Sequence, residues 1–397
     1  MIKKSKKRLY LDYAAATPLN SRVQKSMEQY WSDTFGNAGS LHKEGIAAKQ
    51  ALEHARGEIA KNIGARNSEI VFTSGSTESN NLAIFGTVAA RQKEGVALRD
   101  MHAVTSVIEH PSVLNCFKEL EEMGVRVTYL PVDRYGFVSA EAMYQSLLRE
   151  TVIVSIMYAN SEIGTVEPIA KIAHVVQKWR AENKQTFPYI HTDASQTPLY
   201  LPCNTQSLGV DLMSLDAQKI YGPKGVGCLY IKNRVMINSI YKGGSQENNV
   251  RAGTENIPLI VGFSCALSIA ISNRETEVKK VTLLRDYFIQ ELLRNIKGAE
   301  LNGSAEKRIA NNINVSIPGF ESEFLVIALD DKGIATSSKS ACIGEETEKS
   351  YVVSALGKND TLASSSLRFS LGSATVKKDI AHTVKILCDI LKTHRND

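Results

Sequence analysis

From about residue 45 to residue 235 the chain alternates short apolar runs with stretches whose apolar positions recur every three to four residues. The helical period predicts helices over 45–63, after Thr77 and over 169–182. The apolar runs predict strands at 69–73, near Ala103 and Val125, and at 152–158, 189–192 and 212–215. Strands and helices alternating in this way make a mostly parallel sheet covered by helices. From Pro258 the texture changes to a long helical stretch, expected to break near Asn273, then the strand-like segments NNINVSIPG and SSSLRFSLG and an amphipathic helix over 377–391. The expected fold class is α/β: a large domain over 20–257, with a mostly parallel mixed sheet, and a smaller α+β domain from 1–19 and 258–397.

At 397 residues, with 43% hydrophobic and 22% charged residues, the chain can bury a core in each domain and matches neither a disordered nor a fibrous composition. Its most apolar stretch, 257–271, is interrupted by Pro258, Gly262, Ser264 and Ser268 and falls short of the ~20 residues that span a bilayer. No membrane association is expected. The formal charge of +5 equals the contribution of Lys3, Lys4, Lys6, Lys7 and Arg8, so the body of the chain is neutral and gives no reason to expect nucleic-acid binding. That basic start has no apolar segment of the kind a secretory signal carries. The six cysteines are scattered, without CxxC pairs, which speaks against a zinc site or a disulfide framework and points to a reducing cytoplasm.

Four segments could carry chemistry. In EIVFTSGSTESNNLA a β-rich run ends at Thr73-Ser74-Gly75-Ser76-Thr77 before a helix, an arrangement that turns backbone N–H groups and the Ser76 and Thr77 hydroxyls toward an anion. The same letters also make a plain helix cap. In YIHTDASQ, Asp193 ends a strand, facing the crevice where α/β sheets bind ligands, with Gln196 three residues on; a turn or cap role is equally open. In DLMSLDAQKIYGPKGVG, Lys219 follows a buried strand, a setting that lowers an amine's pKa and suits a Schiff base; Lys224, inside the turn, is the weaker candidate. In SSKSACIGEETEKSYV, Cys342 lies in a segment too polar to be core, so exposure and reactivity are expected there and a structural role for the other five cysteines. His110, just after a strand, and Arg368, inside an apolar strand, complete the set. Arg368 needs either a substrate carboxylate or a structural Asp or Glu, and His110 could instead be a satisfied core histidine.

In motif order and spacing, from LYLDYAAATPL to RFSLG, the chain resembles the cysteine desulfurases of the fold-type I pyridoxal-phosphate enzymes, in the class V aminotransferase group. FGNAGSLH, TSGSTESNNLA, IEHPSVL, NSEIGTVEPI, HTDASQ, QKIYGPKG, VRAGTENIPLIVG and SSKSACIG carry the resemblance. It implies conversion of L-cysteine to L-alanine, with sulfur passing to Cys342 as a persulfide for delivery to an acceptor protein. That acceptor would be an iron–sulfur scaffold or a tRNA-thiolation relay. It implies that Lys219 carries pyridoxal 5'-phosphate, Asp193 pairs with the ring nitrogen, Gln196 bonds the phenolic oxygen, and His110 stacks on the ring and shuttles protons. Ser76 and Thr77 would hold the phosphate, Thr254 would reach the phosphate of the other subunit of a homodimer, and Asn160 and Arg368 would fix the substrate carboxylate.

Two departures stand out. The cysteine loop has the long form, but with Lys339, Glu345, Glu346 and Glu348 in place of glycine and small polar residues, which puts acceptor choice in doubt. Beside Lys219, the usual Ser-x-His-Lys reads Asp216-Ala217-Gln218-Lys219, so two phosphate contacts are replaced. Asp216 is expected to turn away from the phosphate and pair with another donor, with Gln218 supplying an uncharged N–H. Within the same fold a selenocysteine lyase or an aminotransferase is the nearest alternative, although an aminotransferase has no use for a nucleophilic thiol. A non-catalytic platform for sulfur transfer is the alternative from another class, motivated by the altered DAQK segment.

Overall fold

The computed structural model of the chain describes residues 8–338 and 349–394; Cys342, Lys339 and the three loop glutamates lie outside the described residues. Among the described residues the strands run, in chain order, β1 (Leu9–Tyr10), β2 (Ile70–Thr73), β3 (His102–Ser106), β4 (Arg126–Leu130), β5 (Thr151–Ser155), β6 (Tyr189–Asp193), β7 (Leu212–Asp216), β8 (Gly227–Ile231), β9 (Glu300–Leu301), β10 (Asn312–Ser316), β11 (Ile334–Ala335) and β12 (Ser366–Ser370). Strands β2 to β8 form one seven-stranded sheet in the order β2-β8-β7-β6-β5-β3-β4. The pairs from β4 across to β7 are parallel, and β8 runs antiparallel to both its neighbours. The fold is thus α/β with a mixed, mostly parallel sheet, as the hydrophobic pattern predicts.

Strands β3, β5, β6 and β7 are buried at every residue, because helices cover both faces of the sheet. Alternate side chains feed two separate apolar layers. Val104, Val154 and Met213 pack into one, and Ala103, Ile153 and Leu212 into the other. The buried His191 is satisfied within the sheet, reaching Ser155 Oγ at 2.8 Å and Ser214 Oγ at 3.0 Å. Burial lowers the His191 pKa to about 4, so the ring is a neutral spacer rather than a charge.

A smaller sheet, β12-β10-β9, carries its own apolar cluster, including Ile313, Val315, Leu367 and Phe369. Strand β1 pairs in parallel with β11, so the first described residues lie against the C-terminal part of the chain. The helix Ile257–Asn295 links the two cores: Phe263, Leu267 and Ala270 pack under the large sheet, and Val281, Phe288 and Leu292 pack in the smaller cluster. It runs unbroken for 39 residues, so the break expected near Asn273 is absent. A single asparagine costs a helix well under about 1 kcal/mol, less than the packing on either side returns. By length and composition this helix could cross a membrane, yet its apolar residues are those that fill the two cores.

The parallel strands all end at one edge of the sheet, and the chain order reverses between β3 and β5. Ligands of open α/β sheets bind in the crevice outside that edge. Asp193 and Asp216 are the last residues of β6 and β7, and His110 follows β3 by a few residues.

Candidate active site

A cleft with about 700 Å³ of empty volume opens at this edge, and its lining includes Ser76, Thr77, His110, Asp193, Gln196, Gln218, Lys219 and Arg368. Sequence reasoning had these residues scattered over nearly three hundred positions. The strand ends bring them together.

Lys219 ends the short turn Ala217–Lys219 that follows β7. Its Nζ donates to the carbonyl oxygens of Ala14 at 2.8 Å and Ala15 at 2.6 Å, which holds the amine at the cleft wall. Gln196 Nε2 donates to the same Ala14 oxygen at 3.0 Å.

Asp193 is engaged at both of its oxygens. Its Oδ1 accepts from Ser195 N at 2.9 Å and Ser195 Oγ at 2.5 Å, and its Oδ2 accepts from Asn80 Nδ2 at 2.8 Å. Asn80 Nδ2 also donates to Ser112 Oγ at 2.9 Å, and Ser112 Oγ lies 2.8 Å from His110 Nδ1. A continuous hydrogen-bonded chain therefore runs from His110 to Asp193. His110 caps the helix Pro111–Glu122, accepting from Ser112 N at 3.2 Å, so the ring is fixed in orientation as it faces the cleft. Beside it, Glu109 is fully buried, with Oε1 accepting from Ser106 Oγ at 2.6 Å and Met157 N at 3.1 Å; burial pushes its carboxyl well above the usual carboxylate range.

Arg368 has the structural acidic partner that the sequence allowed. Its Nη2 pairs with Asp12 Oδ1 at 2.7 Å and its Nη1 donates to Ser161 O at 3.1 Å, while the guanidinium also lines the cleft and Nε has no partner among the described residues. Asn160 departs from expectation. Its Nδ2 donates to Ile108 O at 3.0 Å and its Oδ1 accepts from Glu162 N and Ile163 N at 2.8 and 2.9 Å, so its amide is committed to shaping its own loop and does not line the cleft. Thr254 is exposed and lies away from the cleft of its own chain.

The cradle Ser74-Gly75-Ser76 precedes the helix Ser76–Lys93, whose cap, Gly75, sits at φ 152°, where a side chain is disfavoured. Opposite it, a Cβ at Gly227 of β8 would lie 2.8 Å from Gly75 Cα, so the close approach of strand and cradle requires glycine there. Asp216 does not turn away as expected. Its Oδ2 accepts from Ser76 N at 3.1 Å and Ser76 Oγ at 2.9 Å, and its Oδ1 accepts from Gln218 N at 3.0 Å. The reason is electrostatic: the Ser76 donors stand at the positive end of the helix Ser76–Lys93, which favours a carboxylate there.

Among the described residues, sequence reasoning missed Asn80, Ser195, Ser112 and Asp12. Asn80 was findable, since it follows Ser76 by one helical turn on the same face. Asp12 reaches Arg368 through long-range pairing, for which the local sequence carries no signal, whereas Ser112 lies two residues from His110 in the turn that it caps. The described cysteines behave as the sequence suggests: burial raises Cys116 to about 12 and Cys203 to about 11, leaving both as unreactive thiols.

The aminotransferase class-V family matches residues 9–382. A cysteine desulfurase IscS of Dictyoglomus turgidum is 44% identical over 98% of this chain and 96% of its own length. A cysteine desulfurase IscS of Methanosarcina thermophila is 39% identical over 98% and 93%. Among solved structures, a NifS-like protein superposes with a TM-score of 0.89 at 33% identity, covering 97% of this chain and all of its own, and the structure described as SspA in complex with cysteine has a TM-score of 0.77 at 33% identity, covering 93% of this chain and 100% of that one. With its parallel-sheet cleft and Lys219, Asp193 and Arg368 gathered there, the chain belongs to the class-V aminotransferase family, among its cysteine desulfurases.

Proposed function

We propose that the cleft binds pyridoxal 5'-phosphate and L-cysteine, and that Cys342 takes the substrate's sulfur as a persulfide, releasing L-alanine. The observation that carries the reading is the meeting of Lys219, Asp193, His110 and Arg368 in one cleft. The donor set fits the cofactor: a primary amine for its aldehyde, a carboxylate for its ring nitrogen, an imidazole beside the ring, and helix-end donors at Ser76 and Thr77 for its phosphate. Gln196 and Gln218 supply amides along the wall. The orphaned Nε of Arg368 supports a carboxylate-binding role there.

When bound, the cofactor supplies an electron sink conjugated to the substrate's α-carbon. Asp193, oriented by three donors, is the carboxyl group that would face the ring nitrogen. Arg368 orients the substrate carboxylate, with Asp12 fixing the guanidinium plane. The Lys219 amine is the group that would move the proton at the α-carbon, and His110 would take the proton of the substrate thiol. Cys342 Sγ, as thiolate, then attacks the substrate sulfur; the new S–S bond forms as the C–S bond breaks, and its electron pair leaves toward the β-carbon, which is protonated to give alanine.

The described residues on either side of the segment that carries Cys342 are anchored beside this site. Ser337 exchanges backbone hydrogen bonds with Arg368 at 3.2 and 2.7 Å, and on the far side of the loop Tyr351 donates its hydroxyl to Glu109 O at 2.5 Å. Four peptide steps from Ser338 reach Cys342, a span of at most about 14 Å.

A homodimer is proposed, with Thr254 serving the partner's phosphate site; Trp31, Phe35, Leu41, Met236 and Tyr241 offer exposed apolar surface. The two cores support two domains, a large one proposed over 20–257 and a smaller one from 1–19 and 258–397, with the first half of the helix Ile257–Asn295 packing on the large core. A protein acceptor for the persulfide, such as an iron–sulfur scaffold or a tRNA-thiolation relay, and a reducing cytoplasmic setting complete the reading. The test is to give L-cysteine and a thiol reductant to the cofactor-loaded protein and quantify products: alanine and sulfide are expected in equal amounts, and pyruvate or no alanine would refute the proposal.

A further inference from the structure

Asp216 is buried at 4% exposure, and its carboxylate occupies the donors that a cofactor phosphate would use. The helix Ser76–Lys93 has no side-chain cap of its own, because Gly75 stands at its cap position. Asp216, reaching across from β7, supplies the side-chain acceptor that the helix cap lacks, and the same carboxylate caps the turn carrying Lys219 through Gln218 N. The cations near it are engaged elsewhere. Lys219 donates to Ala14 and Ala15, Arg368 is paired with Asp12, and Arg251 holds Glu78, whose other oxygen accepts from Ser74 N at 2.7 Å.

We infer that Asp216 is a built-in anion for the phosphate cradle: it holds the helix end in the cofactor-free chain and competes with the incoming phosphate for Ser76. The phosphate consequently contributes less to cofactor affinity than its donors would otherwise give, and discrimination between pyridoxal 5'-phosphate and unphosphorylated pyridoxal is set by Asp216. The inference rests on the reading of the cleft as a pyridoxal 5'-phosphate site. Two unit charges ~5 Å apart at an effective dielectric of ~20 repel by an energy worth about two powers of ten in affinity.

The test compares the equilibrium affinities of the stripped protein for pyridoxal and for pyridoxal 5'-phosphate, read from the absorbance of the lysine-bound aldehyde, in wild type, Asp216→Asn and Asp216→Ser. The affinity ratio isolates the phosphate, since ring, aldehyde and Lys219 are common to both ligands. Both variants are expected to raise the ratio by one to two powers of ten. In thermal melts the stripped Asp216→Asn protein should unfold at lower temperature than wild type, yet gain more from saturating pyridoxal 5'-phosphate. A merely structural Asp216 would weaken both ligands alike, and an unchanged ratio alongside a normal absorbance band would overturn the inference alone. A wild type that forms no Lys219-dependent band with either ligand would overturn the cofactor reading, and this inference with it.

Discussion

Glu167 provides a test of the buried electrostatics around the cleft loop that does not depend on catalysis. Its side chain is almost wholly buried; Oε2 accepts from Val138 N at 3.1 Å, and Oε1 has no partner among the described residues. Burial first, and the charge of Asp133 next, push the carboxyl up from 4.5 to about 8, against the pull of the Val138 N–H. The folded chain therefore holds a proton that the unfolded chain gives up. Stability from this group is complete below pH ~4.5, falls as pH rises, and is lost once pH passes ~8. At 1.36 kcal/mol per pH unit the loss relative to an always-neutral group is about 1 kcal/mol at pH 5.5 and about 4 kcal/mol at pH 8. Glu167→Gln removes the ionisation and keeps an oxygen for Val138 N. Its stability difference from wild type should shift in the variant's favour by roughly 3 kcal/mol between pH 5.5 and pH 8, on top of any constant offset from the new amide. Urea unfolding of both proteins at four or five pH values measures this. Stability curves that stay parallel across the range would refute the argument.

Lys219→Ala should abolish the absorbance of covalently bound cofactor and all alanine release; persistence of both would move the Schiff-base role to another lysine. Cys342→Ala should bind cofactor and L-cysteine with the accompanying spectral change yet form no persulfide, and near-normal alanine production by this variant would remove Cys342 from the chemistry. Arg368→Lys keeps a charge for Asp12 but loses the planar fork, so KM for L-cysteine should rise about 10–100-fold with a smaller change in kcat. Unchanged steady-state KM would exclude carboxylate binding at that position.

The sheet was legible because strands buried on both faces read as unbroken apolar runs, and Leu212–Asp216 or Tyr189–Asp193 leave little room for another reading. The continuity of the long helix through Asn273 was not legible, since local propensity weighs an asparagine without knowing that a core waits on either side of it. Lys219, Asp193 and Arg368 announced themselves as charges beside apolar strands. Asn160 misled, because an amide that binds a ligand and one that braces its own loop look the same in sequence; only the positions of Glu162 N and Ile163 N decide. For Asp216 the conflict was legible but not its resolution: the direction of a carboxylate is set by the donors around it, and Ser76 lies 140 positions away.

The helix Ile257–Asn295 acts as a beam about 58 Å long at 1.5 Å per residue, with one core hung from each half. Lys219 and Asp193 belong to the wall carried by the first half, and Arg368 to the wall carried by the second. The beam does not set the gap between amine and guanidinium alone: Lys219 Nζ on Ala14 O and Ala15 O, and Arg368 Nη1 on Ser161 O, are rivets between the two walls, so beam and rivets together keep their spacing.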